Sequence, residues 1–317
     1  MSVSTFLITG GAGFIGSHLS LRLAGDGHYV KILDNFSSRP REEFEQLAGS
    51  HLSRIEVIDG DIRDRSVCRN AVAGAEFVLH HAAMASVPAS IAHPDYCLGV
   101  NVLGTVNLLE EAYLTGQCKR FVLASSSSVY GDLMPVTKVE TAPLDPLSPY
   151  ATSKLTGEML CRNYTNIRGL PTVALRYFNV FGPRQDPNGP YAAVIPKFIQ
   201  AIAEGDRPVI YGDGEQSRDF VSVQDVVQAN VLACVTQEKD VVGRAFNIGS
   251  GRRTTLNGLI GVFAEITGKS VHADYRPPRS ADILHSLADV SSARERLNFS
   301  PKLSLEDGLR QLMIAVD

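Results

Sequence analysis

The segment Thr9–Gly16 constrains the fold of this chain more than any other stretch of its sequence. It reads TGGAGFIG and joins a short apolar run, Phe6–Ile8, to an amphipathic run from Phe14 to Leu23. This order predicts a strand, a glycine turn and a helix. Because glycine has no side chain, the backbone N–H groups and the positive end of the helix can approach a pyrophosphate closely. The segment therefore predicts a dinucleotide-binding turn, although similar turns also simply join strands to helices.

The next predicted strand ends in a carboxylate. Tyr29–Leu33 is an apolar run, and Asp34 stands at its end, about 20 residues beyond the glycines, where the dinucleotide-binding fold places an acidic residue. A carboxylate there can accept hydrogen bonds from both ribose hydroxyls of an adenosine and would repel a 2′-phosphate. The cofactor predicted is therefore NAD rather than NADP. The alternative is that Asp34 is a solvated turn residue.

Short apolar or β-branched runs alternate with helical stretches through the first 180 residues. The predicted strands are Phe6–Thr9, Tyr29–Asp34, Ile55–Asp59, Phe77–His81, Arg120–Ser125 and Thr172–Tyr177. The predicted helices include Asn101–Leu114 and Tyr150–Arg168. This alternation predicts an α/β fold, a doubly wound parallel sheet of the Rossmann type, with ligands at the carboxyl ends of its strands.

Toward the C-terminal part, prolines and glycines become frequent and the predicted elements shorten. We expect residues 1–178 to form the dinucleotide-binding domain and residues 179–317 to form a smaller α/β lobe that binds substrate. Residues 217–249 are expected to return to the main sheet. The reason is that Asp225–Cys234 has a helical pattern and Ala245–Ile248 is strand-like.

Composition excludes several classes of function. The formal net charge is −4, the basic and acidic residues are interspersed, and no apolar run has the length of a membrane span, so neither a nucleic acid nor a membrane is an expected partner. The five cysteines are scattered without a CxxC pair, which predicts reduced thiols and no metal site. The first residues lack the pattern of a secretion signal, and we expect a cytoplasmic protein.

A second informative segment is SPYATSK, residues 148–154. Tyr150 and Lys154 are four positions apart and share one face of a helix, which Pro149 would begin. An isolated tyrosine has a pKa near about 10 and is a poor base at neutral pH. A nearby ammonium or a cationic nicotinamide would favour the phenolate. The spacing thus predicts a tyrosine base with a lysine partner, against the alternative of a tyrosine stacked on a lysine stem.

A third segment, Leu123–Gly131, is a strand that runs out into four consecutive serines. A hydroxyl at the strand tip, facing the Tyr150 helix, can hydrogen-bond a substrate alcohol and relay its proton to the phenolate. The alternative is a plain polar loop. Three independent elements in this order argue against coincidence.

These elements resemble the extended short-chain dehydrogenase/reductases and, among them, the nucleotide-sugar 4-epimerases. The resemblance runs essentially from end to end and is carried by TGGAGFIG, LDNFSS, GDIRD, HHAA, SSSSVYG, SPYATSK, LRYFNVFGPRQDPNGPYAAVIPKF, GDGEQSRDF and HSLADVS. The last four strings look most like the subgroup that acts on UDP-N-acetylglucosamine and UDP-N-acetylgalactosamine. The family resemblance also suggests a homodimer, built from the helices near residues 101–115 and 150–168.

The resemblance implies roles for individual residues. NAD would be held by Gly10, Gly13, Phe14, Ile15, Gly16, Asp34, Asn35, Asp61, Ile62, Ala82, Ala83, Asn101, Tyr150, Lys154 and Tyr177. The catalytic residues would be Tyr150 as base, Lys154 as its electrostatic partner and Ser126 as hydroxyl relay, with the register of the serine run open by one position. The UDP-sugar would be held by Ser86, Ser126, Ser127, Asn179, Gln185, Val194, Tyr211, Arg218, Arg279 and Ser286.

Three of these positions bear on the sugar. Ser86 replaces the lysine usual in UDP-glucose-type members, and Ser286 replaces a large tyrosine that restricts the pocket of strict UDP-galactose epimerases. Gln185 is similar to a residue that the N-acetyl-preferring subgroup places at the substrate. The resemblance therefore implies 4-epimerisation of UDP-hexoses, foremost the two UDP-N-acetylhexosamines, with UDP-glucose and UDP-galactose as further substrates.

Three alternative functions were weighed. A nucleotide-sugar 4,6-dehydratase usually carries an Asp-Glu pair where this chain has Ser127 and Ser128, so elimination lacks its acid and base. UDP-glucuronate decarboxylation is compatible with the scaffold but has no positive support. A non-catalytic NAD-binding protein would have no reason to keep Ser126, Tyr150 and Lys154 together.

Overall fold

The computed structural model of the chain describes residues 3–188, 192–278 and 284–314. Its strands are β1 Thr5–Thr9, β2 Tyr29–Asp34, β3 Ile55–Asp59, β4 Phe77–His80, β5 Arg120–Ser126, β6 Thr137–Lys138, β7 Thr172–Tyr177, β8 Asn179–Phe181, β9 Val209–Tyr211, β10 Ser217–Arg218, β11 Phe220–Ser222, β12 Arg244–Ile248, β13 Thr254–Thr255, β14 Asp274–Arg276 and β15 Leu287–Ala288. Its helices are α1 Phe14–Gly25, α2 Arg41–Ala48, α3 Arg65–Val72, α4 Val87–Ala92, α5 Pro94–Leu98, α6 Gly104–Thr115, α7 Pro149–Asn163, α8 Val194–Glu204, α9 Val223–Val235, α10 Leu256–Thr267, α11 Ser291–Leu297 and α12 Leu305–Ile314.

Seven of these strands form one parallel sheet in the order β3-β2-β1-β4-β5-β7-β12. The chain moves outward from β1 to β3, then crosses back to β4 and moves outward on the other side. This reversal opens a crevice between β1 and β4 at the carboxyl ends of the strands. The predicted fold class, a doubly wound Rossmann sheet, is confirmed, and the six predicted strands agree with the observed ones to within one residue at each end.

Helices cover both faces of the sheet and bury two apolar cores. Helices α3, α6 and α7 lie over one face, where Leu7, Phe121 and Leu109 are fully buried. Helices α1 and α9 pack together over the other face, which includes Phe6 and Phe246. Each such side chain stabilises the fold by about 1.5–3 kcal/mol relative to exposure. The apolar runs of the strands are near-continuous because both of their faces are covered.

The two long helices predicted from periodicity each contain a wide turn. A π-helical turn at Gly99–Leu103 precedes α6, and another at Tyr164–Arg168 follows α7. Hydrophobic periodicity does not reveal such turns, because each spans only five residues, too few to show a period of its own.

The C-terminal residues build a third apolar core from α8, α10 and α12, centred on Phe181, Phe198 and Phe263. The strands beside it occur as the pairs β8 with β11, β9 with β14 and β10 with β13, and not as one sheet. Strand β12 instead pairs with β7 at the edge of the main sheet, and α9 packs on α1. The domain boundary at residue 178 stays a prediction.

Candidate active site

A cavity of about 570 Å³ lies at the carboxyl ends of the sheet strands. All residues predicted to hold the dinucleotide, except Asn101, line this cavity: Gly10, Gly13, Phe14, Ile15, Gly16, Asp34, Asn35, Asp61, Ile62, Ala82, Ala83, Tyr150, Lys154 and Tyr177. The prediction missed further wall residues, namely Leu33, Ser37, Ser38, Gly60, His81, Met84, Ala85, Tyr96, Val100, Ala124 and Ser125. Many of these wall residues lie at or next to the end of a strand, so they could have been predicted from the strand boundaries.

The glycine turn is packed too tightly to accept side chains. Gly10 has a φ of +67°, and a Cβ there would lie 2.7 Å from the backbone N of Ala82. A Cβ on Gly16 would lie 1.9 Å from the carbonyl oxygen of Gly10. Helix α1 then begins at Phe14, with Gly13 as its N-cap and no side chain capping its first amides. Uncapped amides at a helix N-terminus that borders a cavity can hold a phosphate group.

Asp34 is buried and is not a solvated turn residue, since only 7% of it is exposed. Its Oδ2 accepts a hydrogen bond of 2.9 Å from the N–H of Ala12, and its Oδ1 accepts one of 2.8 Å from the N–H of Phe36. Burial raises the pKa of the carboxyl, and these backbone donors partly offset that effect. The carboxylate thus holds the glycine turn in place while it faces the cavity.

Asp61 lines the cavity and is paired with Arg63. The guanidinium donates to both carboxylate oxygens, with Nε at 3.0 Å and Nη2 at 2.8 Å, and this bonding lowers the pKa of Asp61. Asn35 also donates to Asp61, at 3.4 Å. Arg63 was not predicted as a site residue, and its proximity to Asp61 in sequence was the available signal.

The predicted catalytic residues meet beside the cavity, which Tyr150 and Lys154 line. Helix α7 begins at Pro149, and the hydroxyl of Ser148 caps it by accepting from the N–H of Ala151 at 3.1 Å. The hydroxyls of Tyr150 and Ser126 share a hydrogen bond. The Nζ of Lys154 lies 5.8 Å from the centroid of the Tyr150 ring. A strand-tip hydroxyl, a phenol and an ammonium are therefore side by side.

Within the chain itself, burial opposes the anionic form of Tyr150 that the sequence predicts in the presence of Lys154 and a cationic nicotinamide. Burial raises the pKa of the Tyr150 phenol, and the hydrogen bond with Ser126 only partly offsets this. Burial also lowers the pKa of Lys154 to about 8. Its Nζ donates to the carbonyl oxygen of Ala124 at 2.8 Å. The phenol of the chain itself is therefore neutral at pH 7, because desolvation raises a pKa that is already near about 10 for an isolated tyrosine.

The geometry distinguishes the four consecutive serines. The hydroxyl of Ser125 is engaged with Glu158, to which it donates at 2.5 Å. Ser126 bonds Tyr150 and also accepts from the N–H of Ser128 at 3.2 Å. Ser127 begins the tight turn that follows β5, and the hydroxyl of Ser128 is buried without a hydrogen-bond partner. The relay position that this arrangement supports is Ser126.

Asn101 is not among the lining residues of this cavity, and its role toward the dinucleotide stays a prediction. Its Oδ1 accepts from the N–H of Met84 at 2.8 Å, and its Nδ2 donates to Ser153 at 2.9 Å. A side chain that is fully bonded in this way ties the loop after β4 to α7. Tyr177 does line the cavity, and its hydroxyl accepts from Asn230 Nδ2 at 2.8 Å.

A second, smaller cavity of about 220 Å³ lies beside the C-terminal core. Four of the residues predicted to hold the UDP-sugar line it: Asn179, Gln185, Val194 and Arg218. Tyr211 is not part of its lining, but Gln216, which is, donates to the carbonyl oxygen of Tyr211 at 2.5 Å.

The remaining substrate predictions are more dispersed. Ser286 is buried, and its N–H donates to the carbonyl oxygen of Ser217 at 3.1 Å, next to Arg218. Ser86 is the N-cap of α4, where its hydroxyl accepts from the N–H of Ala89 at 3.2 Å. Arg279 lies outside the described residues.

Neither a metal-ligand cluster nor a membrane-spanning helix occurs in the ranges that the structure describes. No cluster of three or more histidine, cysteine, aspartate or glutamate side chains suited to a metal ion occurs there. No helix in those ranges combines the length and apolar character needed to cross a membrane.

Comparison with known proteins gives consistent matches along the whole chain. The family model described as GDP-mannose 4,6 dehydratase matches residues 7–312. The UDP-glucose 4-epimerase of Mycolicibacterium smegmatis is 38% identical over 304 residues, which cover 96% of this chain and 95% of that protein.

Solved structures of UDP-sugar 4-epimerases also match the chain over nearly its full length. The UDP-N-acetylglucosamine 4-epimerase from Methanobrevibacter ruminantium M1, in complex with UDP-N-acetylmuramic acid, superimposes with a TM-score of 0.92 at 37% identity, over 99% of this chain and 98% of that one. The UDP-glucuronic acid 4-epimerase from Bacillus cereus, in complex with UDP-glucuronic acid and NAD, gives 0.89 at 32% identity, over 98% of both chains. The chain belongs to the GDP-mannose dehydratase-like, extended short-chain dehydrogenase/reductases, and within them to the nucleotide-sugar epimerase family.

Proposed function

We propose that this protein is an NAD-dependent 4-epimerase of UDP-hexoses that interconverts UDP-N-acetylglucosamine and UDP-N-acetylgalactosamine and also accepts UDP-glucose and UDP-galactose. The observation that carries the proposal is the hydrogen bond between Ser126 and Tyr150, whose ring lines the dinucleotide cavity. A relay hydroxyl bonded to a phenol suits removal of a proton from a sugar alcohol. The family and its relatives place that alcohol on a nucleotide sugar.

The residues of the chain fit NAD. The uncapped amides of α1 and the absence of side chains at Gly10 and Gly16 suit a pyrophosphate, and the Asp34 carboxylate suits a ribose without a 2′-phosphate. When bound, NAD supplies the acceptor and later the donor of the hydride on carbon 4 of the sugar. Its cationic nicotinamide would also favour the phenolate form of Tyr150, which the chain alone does not achieve.

The chain itself manages the proton and the position of the substrate. Ser126 hydrogen-bonds the 4-hydroxyl of the sugar and passes its proton to the Tyr150 phenolate, and Lys154 stabilises that phenolate electrostatically while it is an ammonium. We infer that Arg218 holds the diphosphate as a cationic fork. A sugar held mainly through its diphosphate can rotate as the 4-keto intermediate, present its other face and receive the proton back from Tyr150 on that side.

The proposed preference for N-acetylated sugars rests on the space that the small side chain of Ser286 leaves in the sugar pocket. Ser286 is a small buried residue beside Arg218, and a small side chain leaves room for a 2-acetamido group.

Incubation with UDP-N-acetylglucosamine and with UDP-glucose, followed by NMR, tests the proposal through inversion at carbon 4. Release of a 4-keto-6-deoxy sugar would indicate a dehydratase instead. Formation of a UDP-pentose from UDP-glucuronate would indicate a decarboxylase, and inertness toward all UDP-hexoses would indicate a binding protein.

The cofactor prediction is tested by Asp34→Asn, which keeps an acceptor for the N–H of Ala12. Hydrogen bonds to charged groups contribute about 1.5–3 kcal/mol, so we expect NAD affinity to fall about 10- to 100-fold. Discrimination against NADP should fall with it, because the negative charge that repels a 2′-phosphate is gone. Calorimetric titration of both dinucleotides measures the ratio. The control is Asp26→Asn at the exposed end of α1, which should change neither affinity; equal affinity of the wild type for NAD and NADP would contradict the assignment.

A homodimer is the assembly that we propose. Apolar side chains are exposed along α6, α7 and their wide turns, including Leu103 at 62% and Ile167 at 77% exposure. A second copy packed on this face would cover them in a four-helix bundle. Sedimentation equilibrium should give twice the chain mass.

We also propose a cytoplasmic location, since all five cysteines are buried free thiols.

A further inference from the structure

A connected series of buried polar side chains begins at the tip of β5. The hydroxyl of Ser125 donates to Oε1 of Glu158 at 2.5 Å. Arg176 on β7 donates to both oxygens of the same carboxylate, from Nε at 2.9 Å and from Nη2 at 2.7 Å. Only 3% of Ser125, 9% of Glu158 and 4% of Arg176 is exposed. Glu158 is thus shared between a buried arginine and the residue that precedes Ser126.

The series continues to the segment that carries the predicted sugar-pocket residue Ser286. Nη1 of Arg176 donates to the Tyr130 hydroxyl at 2.8 Å, and that hydroxyl donates to Oδ1 of Asn247 at 2.7 Å. Nδ2 of Asn247 donates to the carbonyl oxygen of Asp289 at 3.2 Å. A continuous series of hydrogen bonds therefore links β5, α7, β7, β12 and the segment after β15.

A buried ion pair is a weak source of stability, because desolvation of both charges consumes most of the Coulomb attraction. Apolar side chains of similar volume would fill the same space at no net loss. The buried bonds of Glu158 are better explained by the two elements that they hold together, helix α7 and strand β5. Glu158 lies one helical turn beyond Lys154 on the helix that carries Tyr150, and its acceptor bond reaches the strand that carries Ser126. It therefore joins the two elements whose hydroxyls must meet.

We propose that Glu158 is a positioning residue for proton transfer: by accepting the hydrogen bond of Ser125, it fixes the strand tip against α7 and so keeps Ser126 within reach of Tyr150. The inference rests on the proposed function, because it concerns the same relay. Arg176 compensates the carboxylate charge and does not itself reach the reacting atoms.

Two variants separate positioning from mere stability. Ser125→Ala removes the bond to the strand tip but leaves the Glu158–Arg176 pair intact, so the melting temperature should change little. Misplacement of a reacting group by about 1 Å can cost about 100-fold in rate, and we expect kcat to fall about 10- to 100-fold with KM and NAD content unchanged. Glu158→Gln keeps a hydrogen-bonding partner for Ser125 but deprives Arg176 of its counter-charge. That variant should lose much more thermal stability and much less kcat.

The pH dependence of kcat distinguishes a positioning role from a purely structural one, because a loss of stability alone would not shift it. The bond with Ser126 lowers the pKa of Tyr150, so a loosened strand tip in Ser125→Ala should shift the acid limb of kcat to higher pH. Ser128→Ala is the matched control, since it removes a buried hydroxyl from the same serine run without breaking a hydrogen bond. It should resemble the wild type in kcat and pH profile.

The outcomes distinguish this inference from the proposed function. If the wild type epimerises a UDP-hexose and Ser125→Ala is as fast with an unmoved acid limb, the positioning role is wrong and the function stands. A fall of kcat in proportion to melting temperature across both variants would also overturn it. If the wild type is inert, ultraviolet titration of the Tyr150 phenol, read against Tyr150→Phe, takes over. A titration that Ser125→Ala leaves unchanged then refutes the inference, and one moved to higher pH supports it.

Discussion

Tyr150→Phe should lower turnover of UDP-hexoses by about 10²- to 10⁴-fold, the range that a positioned acid–base group contributes. The phenyl ring fills the same volume in the cavity wall, so NAD content and thermal stability should be unchanged. The missing oxygen, however, leaves Ser126 without a partner that can take its proton. Steady-state kinetics on protein of measured NAD content test this. Turnover retained within a few-fold would show that another group is the base.

The pH dependence of the wild type has two limbs with defined signs. Turnover should fall at low pH as Tyr150 becomes protonated, because burial holds the pKa of the phenol high. It should also fall above about pH 8, where Lys154 loses the charge that stabilises the phenolate. Lys154→Met should remove the alkaline limb, and an alkaline limb that persists in this variant would assign it to a different group.

Gly16→Ala should abolish tight binding of NAD. The added Cβ would lie 1.9 Å from the carbonyl oxygen of Gly10, which is backbone and cannot turn aside as a side chain can. Overpacking costs about 1–3 kcal/mol, and because the strain falls on the pyrophosphate turn, we expect a loss of affinity of about 10- to 100-fold. Equilibrium dialysis with NAD measures it.

The matched control is Gly261→Ala in α10. No atom lies within 4 Å of the Cβ that this change would add, and its backbone is helical. Alanine there should raise stability by about 1 kcal/mol through helix propensity and leave NAD affinity unchanged. If Gly16→Ala bound NAD as tightly as this control, the pyrophosphate would not be held at the turn.

The strands and the cavity wall could be predicted because their signals are local. Apolar runs that end at Thr9, Asp34 and Tyr177 mark strand ends, and parallel strands bring their carboxyl ends to one edge. Tyr150 and Lys154 were recognisable because a spacing of four is one helical turn. The wide turns before α6 and after α7 were not recognisable, since each spans only five residues and shows no period of its own.

Contacts between distant segments could not be read from the sequence. Which serine faces Tyr150 depends on where Ser125 finds its acceptor, and that acceptor is Glu158, 33 positions away. Asn101 is expected near the dinucleotide because of its family position, and its bonds to Met84 and Ser153 could not be foreseen. The protonation state of Tyr150 depends on burial, which spacing does not encode.

The central claim is that one hydride leaves carbon 4 of the sugar and returns to the same carbon while the protein moves only a proton. A UDP-hexose that carries deuterium at carbon 4, incubated with the NAD-loaded protein, tests this most directly. The account predicts that NMR will show the 4-epimer with its deuterium retained at that carbon. An epimer that carries hydrogen from solvent at carbon 4 would contradict it.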